Sequence, residues 1–330
     1  MNLYWSAISQ VISSCLPVFL LIFLGWFCVH KGIFNQDAKK LLSGLVSNFV
    51  FPALLFVQTS HAKPSEIFNG SWIVAFFCTM LCIWIICFLV NKYFLRSTLK
   101  ESTMQSMLCC FPNMGGMGVP FLTLLLGASS TISVAIANFV VALTLIPITI
   151  FLLEFCDAKI SGKNVSAKMV LDAVKNSIMK PMFLAVILGL IVSTTTKSDG
   201  TTWVPDFVMN AAAIMSGACN FISLIAVGVG VYGVKITFDK SLIINVVLKS
   251  FMTPIVALAV VHFFGISGME AEELVFLLAM PTASTAVILA YNWNVQQKEA
   301  SSIFLASTAL SVIILPSLLL IMKFIIPGVI

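Results

Sequence analysis

Nine consecutive residues, Pro112-Asn113-Met114-Gly115-Gly116-Met117-Gly118-Val119-Pro120, carry the strongest chemical signal in this sequence. They interrupt an apolar stretch, 103–127, that would otherwise read as one spanning helix. Proline lacks an N–H donor and glycine weakens a helix entropically, so the cluster breaks it. Lipid cannot satisfy the freed amides and carbonyls, and such a break survives only inside protein or beside a watery cavity. A half-helix starting after the break offers unpaired N–H groups and partial positive charge, which suits an anion such as a carboxylate. Asn113 adds side-chain hydrogen bonding, Gly115 and Gly118 permit close backbone approach, and Pro120 ends the motif. A second interruption, with Pro281, Thr282, Ser284 and Thr285, falls in the stretch 272–293. If the two broken helices cross near the midplane, four half-helix ends converge there. The competing reading is two proline-kinked helices whose polar groups bond neighbouring helices.

Other polar residues sit inside apolar stretches. Asn48 and Pro52 lie mid-span and read either as one wall of a substrate cavity or as an interhelical amide beside a kink. Asn220, followed by Phe221, is a candidate repeat partner of Asn48. Lys249 is the one basic residue deep in a span, which makes it a candidate functional group. It could attract an anionic substrate, take the place of a coupling cation, or donate to carbonyls exposed by a crossover. The last role is preferred, because no embedded carboxylate is available to pair with it. His30, His61 and His262 read as interfacial, and Glu270, Glu272 and Glu273 as ordinary partners of a helix N-terminus. Without a buried carboxylate, proton antiport is disfavoured. Cys78 and Cys82 share a helix face but have no companion ligand, so no metal site is expected.

The elements that must position these residues are membrane helices. The chain is 60% hydrophobic and 9% charged, with a mean hydropathy of +1.07, far from the soluble range. Ten spans read out at 8–29, 39–60, 71–91, 103–127, 130–154, 178–196, 207–233, 241–264, 272–293 and 300–326. The first is read as a helix rather than a cleaved leader, since no basic residue precedes it. All but four of the 18 lysines and arginines fall in connections on one side; Lys63, Lys197 and Lys323 lie opposite, and Lys249 is within a span. That asymmetry puts both termini outside the cytoplasm and the 155–178 connection within it. No stretch is long and polar enough for a soluble domain, and scattered loop charges argue against nucleic-acid binding.

The two halves echo each other. Pro17-x-Phe19-Leu20 with Leu24-Gly25 matches Pro181-x-Phe183-Leu184 with Leu188-Gly189, and Pro120 matches Pro281 and Pro147 matches Pro316, at offsets of 164, 161 and 169. With five spans per copy, the second must enter inverted: repeats 1–155 and 178–330 joined by a cytoplasmic connection, 156–177. Inverted repeats with discontinuous helices build midplane substrate sites in secondary transporters. The sequence therefore reads as an all-α polytopic carrier. Catalysis has no foothold, for there is no phosphate loop, no paired carboxylates and no nucleophile beside a histidine.

The Asn113-x-Gly115-x-x-Gly118-x-Pro120 cluster in the fourth of ten spans resembles the auxin efflux carrier family, whose bacterial members include malonate- and malate-type permeases. Ala279-Met280-Pro281, Ala300-Ser301, Ser307-Thr308, Leu315-Pro316 and Lys249 with Pro254 are similar to the same family. The resemblance implies a fold like that of bile-acid symporters and sodium–proton antiporters. There, spans one, two, six and seven form a scaffold and the rest a transport domain, with substrate held against Asn113 and the crossovers. It also implies a small organic anion as substrate, sodium or proton coupling left open, and a homodimer as the assembly. The short 156–177 connection favours the bacterial-type subgroup over an auxin carrier of the plant type. The alternatives are an indole-carboxylate efflux carrier and a ligand receptor that transports nothing.

Overall fold

The computed structural model describes residues 2–35, 37–61, 70–127, 130–160, 179, 181–195, 202–233 and 239–325. Most of the 156–177 connection thus lies outside the described residues. The described chain is helical, with no strand. The helices are α1 (Asn2–His30), α2 (Ala38–His61), α3 (Gly70–Phe94), α4 (Leu99–Cys110), α5 (Val119–Leu126), α6 (Ser130–Leu143) and α7 (Leu145–Ile160). They are followed by α8 (Pro181–Thr195), α9 (Asp206–Val231), α10 (Lys240–Phe264), α11 (Gly268–Ala279), α12 (Ser284–Asn292) and α13 (Gln297–Ile325).

Six stretches are long and apolar enough to cross a membrane: Ala38–His61, Gly70–Phe94, Ile136–Lys159, Asp206–Val231, Lys240–Phe264 and Gln297–Lys323. The protein is a multi-pass membrane protein. Both interrupted stretches divide into helix pairs, α4 with α5 and α11 with α12, each member too short to span alone. Large apolar side chains such as Phe49, Ile214 and Phe263 are exposed on α2, α9 and α10, as expected of faces turned to lipid rather than water.

Local chemistry sets several helix ends. Thr98 and Glu101 form a reciprocal capping box at the start of α4. Asp239 accepts from the Leu242 amide at 2.8 Å to open α10, and Gly265, at φ +65°, closes it.

Two groups of helices pack among themselves. In one, α1 runs along α9 and α2 along α8. Small residues permit this approach. A Cβ added at Gly25 would fall 2.3 Å from the Ile225 carbonyl oxygen, and one at Gly189 would fall 1.8 Å from Thr59 Oγ1. The second group gathers α3, α4, α10 and α13 around α11 and α12, whose side chains are almost all buried, and α13 joins the two groups by running along α1.

Two expectations change on this view. Pro281 lies in the break itself, whereas Pro120 lies in the first turn of α5, so the two prolines do not hold equivalent places. The residue opposite Thr282 is Pro112. The offset between breaks is then 170 residues, close to that of Pro147 and Pro316. Glu272 and Glu273 are also buried, at 0% and 6% exposed, and Ser133 Oγ donates to Glu273. The absence of buried carboxylates therefore no longer argues against proton coupling.

Candidate substrate site

The two breaks meet face to face. Phe111, Met280 and Ala283 adopt extended backbone, and Pro112 and Thr282 pair as an isolated antiparallel bridge. The Asn113 amide donates to the Pro281 carbonyl at 2.8 Å, and the Ala283 amide donates to the Phe111 carbonyl at 2.9 Å. These two bonds satisfy backbone groups that lipid would leave bare, which is why both breaks are tolerated in mid-stretch.

Each break also strands the carbonyl four residues earlier, and the remedies differ. Pro112 has no N–H for the Leu108 carbonyl, and Thr282 Oγ1 donates to it instead at 2.9 Å. On the other side the Thr282 amide turns to Ser307 Oγ at 3.2 Å, leaving the Leu278 carbonyl. Proline at 112 has no hydroxyl with which to return the favour. Lys249 Nζ donates to that carbonyl at 3.3 Å from a fully buried position on α10. Cys109 and Cys110, at the end of α4, lie near the same ammonium. One cation thus faces the negative C-terminal ends of both broken helices, α4 and α11.

The opposite ends of the breaks are N-terminal. Asn113, 4% exposed, accepts from the amides of Met117 and Gly118 through its carbonyl and so starts the wide turn Met114–Gly118 that leads into α5. Buried Ser284 and Thr285 open α12. Asn113, Gly115, Gly118, Pro281, Thr282, Ser284 and Thr285 therefore come together at one crossing, with Pro120 one turn along in α5. The crossing can cap an anion with helix-end N–H groups and hydroxyls.

Asn48 does not reach this crossing. It bonds the Gly44 carbonyl at 2.8 Å and lines a cavity of about 690 Å³ with Ser47, Lys100, Asp157, Pro181 and Trp293. Lys100 pairs with Asp157 at 2.5 Å in the same lining, while Asn48 lies about three turns into α2. Beside the cavity, Asn292 at the end of α12 donates to Ser47 Oγ, and Lys39 donates to Gln297 at 2.5 Å.

A model of the membrane transport protein family matches residues 10–319. The chain belongs to this family, the auxin efflux carriers and their relatives. Among similar proteins, the Escherichia coli K12 "Uncharacterized transporter YfdV" is 26% identical over 306 residues, 92% of this chain and 93% of that one. The Rhizobium meliloti "Putative malonate transporter" is 23% identical over 326 residues, 96% of this chain and 97% of its own. "Auxin efflux carrier component 5" of Arabidopsis thaliana is 26% identical over 158 residues, 48% of this chain and 45% of that protein. As a member of a membrane transporter family, the protein works on a small molecule in a lipid bilayer.

Sequence reasoning expected the two breaks to meet, as they do at Pro112 and Thr282, but it could not pair them residue by residue. It named Asn220 only as a candidate repeat partner of Asn48, whereas the amide lies in α9 against Gly115. The one available signal was its position as a polar residue mid-span.

Proposed function

We propose that the protein is a secondary carrier of small organic anions, mono- or dicarboxylates of the malonate and malate type. The observation that carries this reading is the antiparallel crossing of α4–α5 with α11–α12, which aims two helix N-termini, Asn113, Ser284 and Thr285 at one place. An anion gains from both helix ends at once. The relative named as a malonate transporter supports the substrate class.

On this reading the two broken pairs and the shorter α1 and α8 join the six long stretches to make ten crossings, in inverted repeats 1–155 and 178–330. The contacts of Gly25 with α9 and of Gly189 with α2 are what an inverted repeat predicts, since each joins a first span to the second span of the other copy. Helices α1, α2, α8 and α9 form the scaffold, and the remaining helices move against it to give alternating access. The cavity beside Asn48 has Lys100 in its lining, and with the orientation drawn from the lysines it reads as an inward-facing cavity in the cell's inner or plasma membrane, with both termini outside. Lys249 holds the C-terminal ends of the crossing together, and a homodimer through the scaffold is the expected assembly.

The test is counterflow by purified protein in proteoliposomes, using labelled malonate and malate with and without sodium and pH gradients. Saturable exchange supports the carrier; flux without saturation marks a channel, and binding without exchange a receptor. The auxin carrier among the relatives motivates an indole carboxylate as competitor. Its displacement of malonate would move the substrate class toward indole carboxylates.

A further inference from the structure

Two neighbouring helices present apolar stripes to the outside. Leu81, Ile85, Leu89 and Tyr93 are exposed on α3, and Ile243, Val247, Phe251 and Ile255 on α10. The spacing of four sets each row on one helix face. The two helices lie side by side. Fully buried Asn91 and Asn245 exchange side-chain hydrogen bonds of 2.8 and 3.1 Å, and Lys240 Nζ sits 4.3 Å from the Phe94 ring centroid. Each row, 81–93 and 243–255, is about 18 Å long at the α-helical rise, close to the depth of one leaflet, half of a hydrocarbon core of roughly 30 Å.

Both stripes end at basic residues. Lys92 donates to the Ser97 carbonyl at 3.4 Å, exposed Arg96 follows α3, and exposed Lys240 opens α10. Arg96 has φ +57°, in a turn closed by the Ser97 amide on the Asn91 carbonyl at 3.0 Å. Glycine is the usual residue in such a place after a helix, and a larger side chain is strained there. Nothing inside the protein repays that strain, since among the described residues the Arg96 guanidinium takes part in no hydrogen bond or ion pair. The nearest acid in sequence to Lys240, Asp239, is spent on the Leu242 amide at 2.8 Å. The exposed face of α9, by contrast, begins at Asp206.

We propose that the seam between α3 and α10 binds an anionic phospholipid, with its headgroup phosphate at Arg96 and Lys240 and its two acyl chains along the stripes. Apolar stripes alone suit any lipid; the cations at their ends select the charge. Both helices belong to the group gathered around the crossing, so the lipid is held by the body that contains the two breaks.

The experiment is native mass spectrometry of the full-length protein, delipidated in detergent and titrated with phosphatidylglycerol or with phosphatidylcholine of the same chains. Phosphatidylglycerol should bind about tenfold tighter or better. Arg96→Gly suits the left-handed backbone, so it should unfold no earlier than wild type on heating while losing about fivefold in phosphatidylglycerol affinity. Lys240→Gln should lose a similar factor, and the double variant should bind the two lipids nearly alike. Lys31→Gln, at the end of α1, should keep the wild-type preference. Equal binding of both lipids by the wild type, or an unchanged preference in the double variant, overturns the proposal. So does a lipid-free wild-type dimer that Val247→Lys splits into monomers, since a second copy then covers this face. Should Lys240→Gln not fold, Arg96→Gly decides the question by the same preference.

Discussion

At Asn113 the backbone and the side chain have separable duties. The backbone amide and carbonyl hold the crossing and the turn that follows, and both survive substitution by alanine. Asn113→Ala should therefore abolish transport while the melting temperature stays within a few degrees of wild type; malonate exchange at the wild-type rate by the folded variant would remove Asn113 from the site. Lys249 is the reverse case. Its ammonium serves the Leu278 carbonyl and the ends of α4 and α11 rather than an opening. Lys249→Met keeps the volume but strands that carbonyl, at a cost of about 1–3 kcal/mol. Unfolding should come at lower temperature than in wild type, with activity falling as folded protein is lost. An unchanged melting point would show that the ammonium is not a structural cap.

Helices respond to glycine substitution according to what faces them. Gly189 of α8 lies so close to α2 that an added methyl would meet Thr59 Oγ1 at 1.8 Å and the Phe56 carbonyl at 2.8 Å. A carbonyl on a neighbouring helix cannot step aside as a flexible side-chain tip can, so α8 must separate from α2. Gly189→Ala should lower the yield of folded protein sharply, where Gly115→Ala does not; equal yields would show that the α2–α8 contact is not close-packed. Bonds from Asn292 of α12 to Ser47 of α2 and from Lys39 of α2 to Gln297 of α13 tie these helices beside the cavity. Alternating access would require these contacts to change. Cysteines placed at 47 and 292 and cross-linked should stop exchange, and reduction should restore it; exchange through the cross-link would exclude movement between α2 and α12.

At the scale of the whole molecule, the proposed orientation rests on charge: on the ten-crossing reading lysines and arginines crowd one side, and Lys100, in the cavity lining, lies on it. Tags fused at either terminus should be reached by impermeant reagents from outside intact cells, and protection of both would invert the assigned topology. The buried Glu272 and Glu273 belong to this scale too, since whether they take up protons during transport decides the energetics of the cycle. Comparing exchange with net uptake under a pH gradient separates the cases.

Much of the protein was legible from residue types alone. Membrane helices follow from apolar runs, because a bilayer accepts little else, and the break at Pro112–Pro120 follows from residues that cannot complete a helix. Lys249 announces itself by the cost of a buried charge. Which residues meet across the break was not legible. The Pro112–Thr282 bridge joins positions 170 residues apart, and Pro120 was a more tempting match for Pro281 than the true partners were. Burial of Glu272 and the approach of Asn220 to Gly115 were likewise hidden, since a helix sequence lists its faces but not what lies against them. Local chemistry settles where a helix must stop; only packing between distant segments settles what the exposed ends find when it does.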